Sequence, residues 1–141
     1  MNSNFDLDRF VMAQEGRHAD ALTEIRNGQK LSHWIWFVFP QVDGLGFSSM
    51  SVKYAIKSRG EAVAYLQHSV LGPRLREITE ALLQVEGKSA LEIMGRPDNL
   101  KLKSSMTLFA LVSGENSLFQ QVLDKYFGGE RDELTEALLE E

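Results

Sequence analysis

The densest collection of groups that could do chemistry lies in one short stretch, Ser32-His33-Trp34-Ile35-Trp36-Phe37-Val38-Phe39-Pro40-Gln41. From Leu31 to Ile56 there are only two formal charges, Asp43 and Lys53, but six of the thirteen aromatic residues. His33 stands in this neutral setting, and an imidazole there serves either as an acid, base or donor or as a helix cap. Trp34 and Trp36 each need a partner for the indole N–H when buried, and each offers a face on which a planar ligand can stack. They are read as core or as ligand contacts, with Gln41 beside them as a further candidate to face a ligand. Phe37 and Phe39 are assigned to the core.

Two further groups could hold an anion. Gly44-Leu45-Gly46-Phe47-Ser48-Ser49 has the outline of an anion-binding loop, in which glycines admit a ligand to the backbone and Ser48 and Ser49 donate hydrogen bonds. A plain turn is the competing reading, since the stretch is neither a P-loop nor a dinucleotide fingerprint. Lys101-Leu102-Lys103-Ser104-Ser105 places two lysines and two hydroxyls at a helix start, where cations oppose the helix dipole unless an anion or carboxylate offsets them. The alternative is a solvated face. No Ser-His-Asp arrangement can be assigned around these serines. Of the carboxylates, Asp8 sits among apolar residues of a first helix as a cap or a pocket group. The C-terminal set from Glu130 to Glu141 reads as a solvated face.

The whole chain bounds these options. Its 141 residues suit one domain, residues 1–141, able to bury a real core. A net charge of -5 argues against bulk nucleic-acid binding, which needs a basic face. There is no cysteine, so disulfides and thiolate chemistry are excluded. His18, His33 and His68 lie far apart, and neither a metal nor a cofactor is expected. The N-terminus lacks the pattern of a signal peptide, and the apolar run 34–39 falls far short of the ~20 residues that span a bilayer. Cytoplasm is the expected location, with no membrane partner.

The elements that must position these groups read as mainly α, seven or eight short helices in one compact domain. Leu7, Phe10, Val11 and Gln14 follow i, i+3, i+4, i+7 spacing behind an expected Asp6 or Asp8 cap. Gly16 separates this helix from one at about 18–27. A short helix is possible at 49–56, and further helices are expected at 60–67, 73–85, 89–94, 98–112, 117–127 and 131–139, with Gly87, Gly95 and Gly128-Gly129 as stops. Residues 33–39 are ambiguous. Their composition favours a strand, but no second strand of comparable strength is present to pair with it, which favours a buried helical turn or extended segment.

These residues together resemble a bacterial family, domain of unknown function 1810. The likeness rests on Asp8-Arg9-Phe10-Val11-Met12-Ala13-Gln14, the 32–41 and 44–48 segments, Tyr54-Ala55-Ile56, and Leu71-Gly72-Pro73-Arg74-Leu75. It continues through Lys101-Leu102-Lys103-Ser104-Ser105-Met106-Thr107-Leu108-Phe109 and Leu123-Asp124-Lys125-Tyr126-Phe127. Some members carry the label calpastatin, an inhibitor that is a disordered repetitive chain, whereas this sequence reads as compact. A more distant similarity is to the NADAR family, linked to ADP-ribose and to cleavage of N-glycosidic bonds. Asp8 falls where that family has a glutamate, and Ala13-Gln14 match the end of its helix.

The resemblance implies an N-glycosyl hydrolase acting on a nucleotide or ADP-ribose derivative. Asp8, the one position carried over from that family's site, would stabilise the oxocarbenium-like transition state; on the reading of the residues themselves, His33 would assist proton transfer. Gln14, Trp34, Trp36, Gln41, Ser48, Ser49, Lys53, Lys101, Lys103, Ser104 and Ser105 would bind the substrate. The alternatives are a non-catalytic nucleotide- or peptide-binding domain, and a homodimer joined through residues 34–39.

Overall fold

The computed structural model describes residues 5–140. Ten helices follow one another among the described residues: α1 (Asp8–Gln14), α2 (Arg17–Arg26), α3 (Ile35–Val38), α4 (Ser49–Lys53), α5 (Arg59–Gln67), α6 (Leu71–Gln84), α7 (Ala90–Met94), α8 (Asp98–Leu111), α9 (Leu118–Phe127) and α10 (Glu133–Leu139). No strand forms among them. The helices outnumber the seven or eight expected because single turns such as α3 carry too few residues for a 3.6-residue period to register.

Helix α8 is the axis of the fold. Its residues Ser104 to Ala110 are buried without a break, so it has no solvent face over two turns and must be wrapped by neighbours. Helices α7, α9 and α10 pack against it, as do α3 and α5. Helix α6 is amphipathic instead. Leu71, Leu75, Ile78 and Leu82 form its buried stripe, packed against α2, α5 and α9. At the α5–α6 turn, a Cβ on Gly72 would come within 2.2 Å of the Leu66 carbonyl oxygen, so only glycine permits this approach.

The helix ends are capped by short polar side chains, which satisfy N–H groups the helix itself cannot. Ser48, Ser58, Ser89, Ser117 and Asp132 accept at the starts of α4, α5, α7, α9 and α10. At α6 the acceptor is His68 Nδ1, which takes the Val70 and Leu71 N–H groups at 3.1 and 3.2 Å. The expected aspartate cap of α1 is not made. Leu7 occupies that position without a side-chain bond, and Asp8 is the first helical residue, where its charge still complements the dipole.

The ambiguous stretch becomes one turn of helix. Val38 N–H donates to the Trp34 carbonyl at 3.1 Å, and Phe39 N–H to that of Ile35 at 3.0 Å. With no strand to pair against, the backbone satisfies itself internally. The extended backbone lies just beyond, where Val42 and Ile56 form an isolated parallel bridge. Asp43 N–H donates to Ile56, and Ile56 N–H donates to Gln41. Trp34, Ile35, Phe37, Val38 and Phe39 are all core residues of their own chain. These five are covered within their own chain, and Trp36 alone of the run 34–39 is half-buried. No helix among the described residues is long and apolar enough to cross a membrane.

Candidate ligand-binding cleft

The aromatic segment divides at its two tryptophans. Trp34 is fully buried, and its Nε1 donates to Glu24 Oε1 at 2.9 Å. The same carboxylate accepts from Leu31 N–H at 2.7 Å, Ser32 N–H at 3.0 Å and Ser32 Oγ at 2.6 Å. Burial alone would raise the Glu24 pKa. The Ser32 hydroxyl, the Leu31 N–H, the Trp34 indole and the Ser32 N–H outweigh it and hold the group at about 2. Lys30 stands 4.8 Å from the centre of the Trp34 ring and bonds Asp98 Oδ2 at 2.8 Å and the Ser32 carbonyl at 2.6 Å. Every polar group here has a partner. Trp34 is a latch that closes the α2–α3 loop, not a surface for a ligand.

Trp36, two residues on, lies on the opposite side of the one-turn helix and is only half-buried. Its ring lines a cleft of 220 Å³ between the α3–α4 loop on one side and α8 with the start of α10 on the other. Gln41, Ser51, Tyr54, Lys101, Ser104 and Asp132 line the same cleft, and Leu45, Pro97 and Leu100 give it apolar walls. Loop and α4 approach closely here: a Cβ on Gly46 would meet Ser51 Oγ at 2.7 Å. The glycine-rich segment therefore shapes a wall rather than cradling an anion with its serines.

Three polar groups of this cleft are not fully used. Trp36 Nε1 is shielded from solvent and has no hydrogen-bond partner among the described residues, a situation that costs about 1–3 kcal/mol. Lys101 Nζ lies 5.0 Å from the Trp36 ring centre. Its nearest carboxylate oxygen, Asp98 Oδ1, is 3.7 Å away, beyond hydrogen-bond reach, and Asp98 is already bonded to Lys30 through its other oxygen. Asp132 caps α10 through Oδ2 alone, accepting from Thr135 N–H at 3.0 Å and from Ser104 Oγ at 3.3 Å. Its second oxygen takes no hydrogen bond from the described residues.

The other residues expected to form a site are dispersed. Asp8 and His33 are exposed and line no part of the cleft. What His33 contributes is its backbone carbonyl, which accepts from Arg17 Nη2 at 2.9 Å. Gln14 is buried as a tie between helices: its Nε2 donates to the Phe37 carbonyl at 2.7 Å and the Tyr65 hydroxyl at 3.0 Å, and its Oε1 accepts from Arg74 at 3.3 Å. Ser48 serves as the α4 cap and Ser49 is exposed; neither lines the cleft. Lys53 belongs to a separate groove with Arg9 and Lys57. Lys103 pairs with Glu130 at 3.3 Å, and Ser105 is fully buried with an unpartnered hydroxyl. Trp36, Gln41, Lys101 and Ser104 are the four that converge.

Asp132, Tyr54 and Ser51 join them without having been expected. Asp132 was hidden in a run of carboxylates that reads as solvated. Its signal is the spacing to Thr135, which marks a helix cap and so a side chain with a fixed direction. Among the described residues no three His, Cys, Asp or Glu side chains converge to hold a metal ion.

The fold and cleft define a small all-helical domain with one face open beside a half-buried tryptophan. The chain belongs to the family described as protein of unknown function (DUF1810), whose profile matches residues 4–139. It is also 53% identical to a conserved hypothetical protein from Mycobacterium tuberculosis, solved by crystallography at 1.38 Å. That match has a TM-score of 0.95 and covers 97% of this chain and 98% of the other. No curated protein matches. Neither match bears the calpastatin label or names ADP-ribose.

Proposed function

We propose that this domain binds a nucleotide-derived small molecule in the cleft beside Trp36. The observation that carries the reading is the convergence there of a stacking face, a cation without a hydrogen bond and a carboxylate with a free oxygen. Such a mixture of apolar wall and few convergent polar groups is the usual character of a small-molecule site. Trp36 supplies the platform, Lys101 meets negative charge, and Gln41 and Ser104 fix orientation. Asp8, His33 and Trp34 play no part in this binding.

A thermal-shift titration with nucleotides, ADP-ribose and NAD tests the reading, since a ligand of the native state raises the melting temperature by mass action. A shift that disappears in Lys101→Met is expected. No shift from any of them at millimolar concentration contradicts it.

A second reading, N-glycosyl hydrolysis, draws on Asp132, the one carboxylate lining the cleft. A carboxylate beside the anomeric carbon stabilises an oxocarbenium-like transition state. Asp132→Asn that retains ligand but loses release of the base supports hydrolysis; release of base at the parent's rate rejects it.

A further inference from the structure

Resting on that reading of the cleft, we propose that the part of the ligand it recognises is a polyol phosphate, the ribose-phosphate portion of a nucleotide. The phosphate would sit on Lys101 and a sugar hydroxyl on Asp132. The argument begins with what the cleft leaves unpaired. An ammonium without a hydrogen bond calls for an anion. Asp98 does not meet that need in full: its Oδ1 lies 3.7 Å from Lys101 while its Oδ2 carries Lys30 at 2.8 Å, so two ammonium groups share one carboxylate and a positive charge is left over.

The carboxylate requires a donor, and two classes of ligand carry one beside an anion: an amino acid and a sugar phosphate. The surroundings of Asp132 favour the sugar. Its Oδ2 caps α10, so the helix N-terminus and the Thr135 and Ser104 bonds already offset its charge. A carboxylate compensated in this way suits a neutral hydroxyl donor and has little need of an ammonium. The neighbouring neutral groups Gln41, Ser51 and Ser104 add hydrogen-bond capacity that a polyol uses and the side chain of a simple amino acid does not.

Size points the same way. At 220 Å³ the cleft is smaller than the ~300–1,000 Å³ of sites that enclose drug-sized ligands. A dinucleotide exceeds it, and a single sugar phosphate is in proportion. The base would lie at the mouth, against the exposed part of the Trp36 ring and the half-exposed Leu100.

Calorimetric titration with ribose 5-phosphate, 2-deoxyribose 5-phosphate and glycine tests this on the full chain, the parent and two variants. Asp132→Asn keeps an effective cap, and Lys101→Met keeps the length of the side chain. Ribose 5-phosphate is expected to bind the parent at least about tenfold more tightly than the deoxy sugar, as one charge-assisted hydrogen bond implies. That preference should collapse in Asp132→Asn, and both sugars should weaken about tenfold in Lys101→Met. Equal affinity for the two sugars, a preference that survives in Asp132→Asn, or tighter binding of glycine overturns the inference. If intact nucleotides bind while ribose 5-phosphate does not, the inference falls and the nucleotide reading stands. If nothing binds, both fall.

Discussion

Trp34 and Trp36 are two residues apart in one helical turn, and their surroundings could hardly differ more. Around Trp34 the indole N–H donates to the Glu24 carboxylate, and the Lys30 ammonium beside the ring is bonded to Asp98 and the Ser32 carbonyl. Around Trp36, among the described residues, the indole N–H has no partner, the Lys101 ammonium makes no hydrogen bond, and Asp132 uses one oxygen. The same three kinds of group, an indole, a lysine and a carboxylate, thus appear twice. In the first set each finds a hydrogen-bond partner within the protein and helps hold the loop; in the second each keeps unused hydrogen-bonding capacity beside a cleft. Residue type therefore does not separate structure from binding here, whereas hydrogen-bond completion does.

The largest expected effect lies on the closed side. Trp34→Ala removes a fully buried aromatic ring, and we expect a loss of about 3–5 kcal/mol in urea unfolding. Trp36→Phe should leave stability within about 1 kcal/mol of the parent, because it removes an unpaired donor along with some contact area. The same substitution keeps an aromatic ring but a smaller face, and should reduce the ligand-induced thermal shift. If the two variants lose equal stability, the contrast between the regions is broken.

Acid sharpens the same contrast. The Glu24 pKa is about 2 in the folded protein against 4.5 as the ordinary value. Its folded value is depressed, so its contribution is complete above about pH 4.5 and is lost as pH falls toward 2. His18 adds a separate decline that begins nearer pH 6.5. Burial lowers its pKa and outweighs the Glu77 carboxylate 3.5 Å away, and Arg74 lowers it further. Glu24→Gln should therefore flatten the urea midpoint between pH 5 and pH 3 while leaving the decline above pH 5 in place. A variant with the parent's full acid slope contradicts the assigned role of Glu24.

A smaller effect concerns the rim. Phe47 is 86% exposed and follows Gly46 of the cleft wall, so Phe47→Ala should not alter stability by more than about 0.5 kcal/mol. If the base of the ligand extends past the mouth, the variant weakens nucleotides and leaves ribose 5-phosphate unchanged.

Helix periodicity made most of the fold legible. The stripe of Leu75, Ile78 and Leu82 marked α6, and glycine stops marked the ends of α7 and α9. What periodicity could not register was a four-residue turn, and so 33–39 stayed ambiguous until the surrounding helices left it no strand partner. The cleft was legible in half. Trp36, Gln41, Lys101 and Ser104 stood out as types that bind ligands. Gln14 and Ser105 stood out equally, and yet both are buried in the interior, because a polar type does not reveal whether its partner is protein or ligand. The lysines of α8 illustrate the same point: Lys103 pairs with Glu130 from within the chain, whereas Lys101 has only Asp98 at 3.7 Å, a carboxylate it shares with Lys30. Asp132 was missed for the converse reason, since a fixed cap looks like one more surface acid in a run of them.

The most direct test of the account is a proton–nitrogen correlation spectrum of the two indole N–H groups during nucleotide titration. One signal is assigned by Trp36→Phe, and the other then belongs to Trp34. The account predicts that the Trp36 signal moves with ligand while the Trp34 signal, locked on Glu24, stays in place. A spectrum in which saturating ligand moves only the Trp34 signal, or in which neither moves, contradicts it.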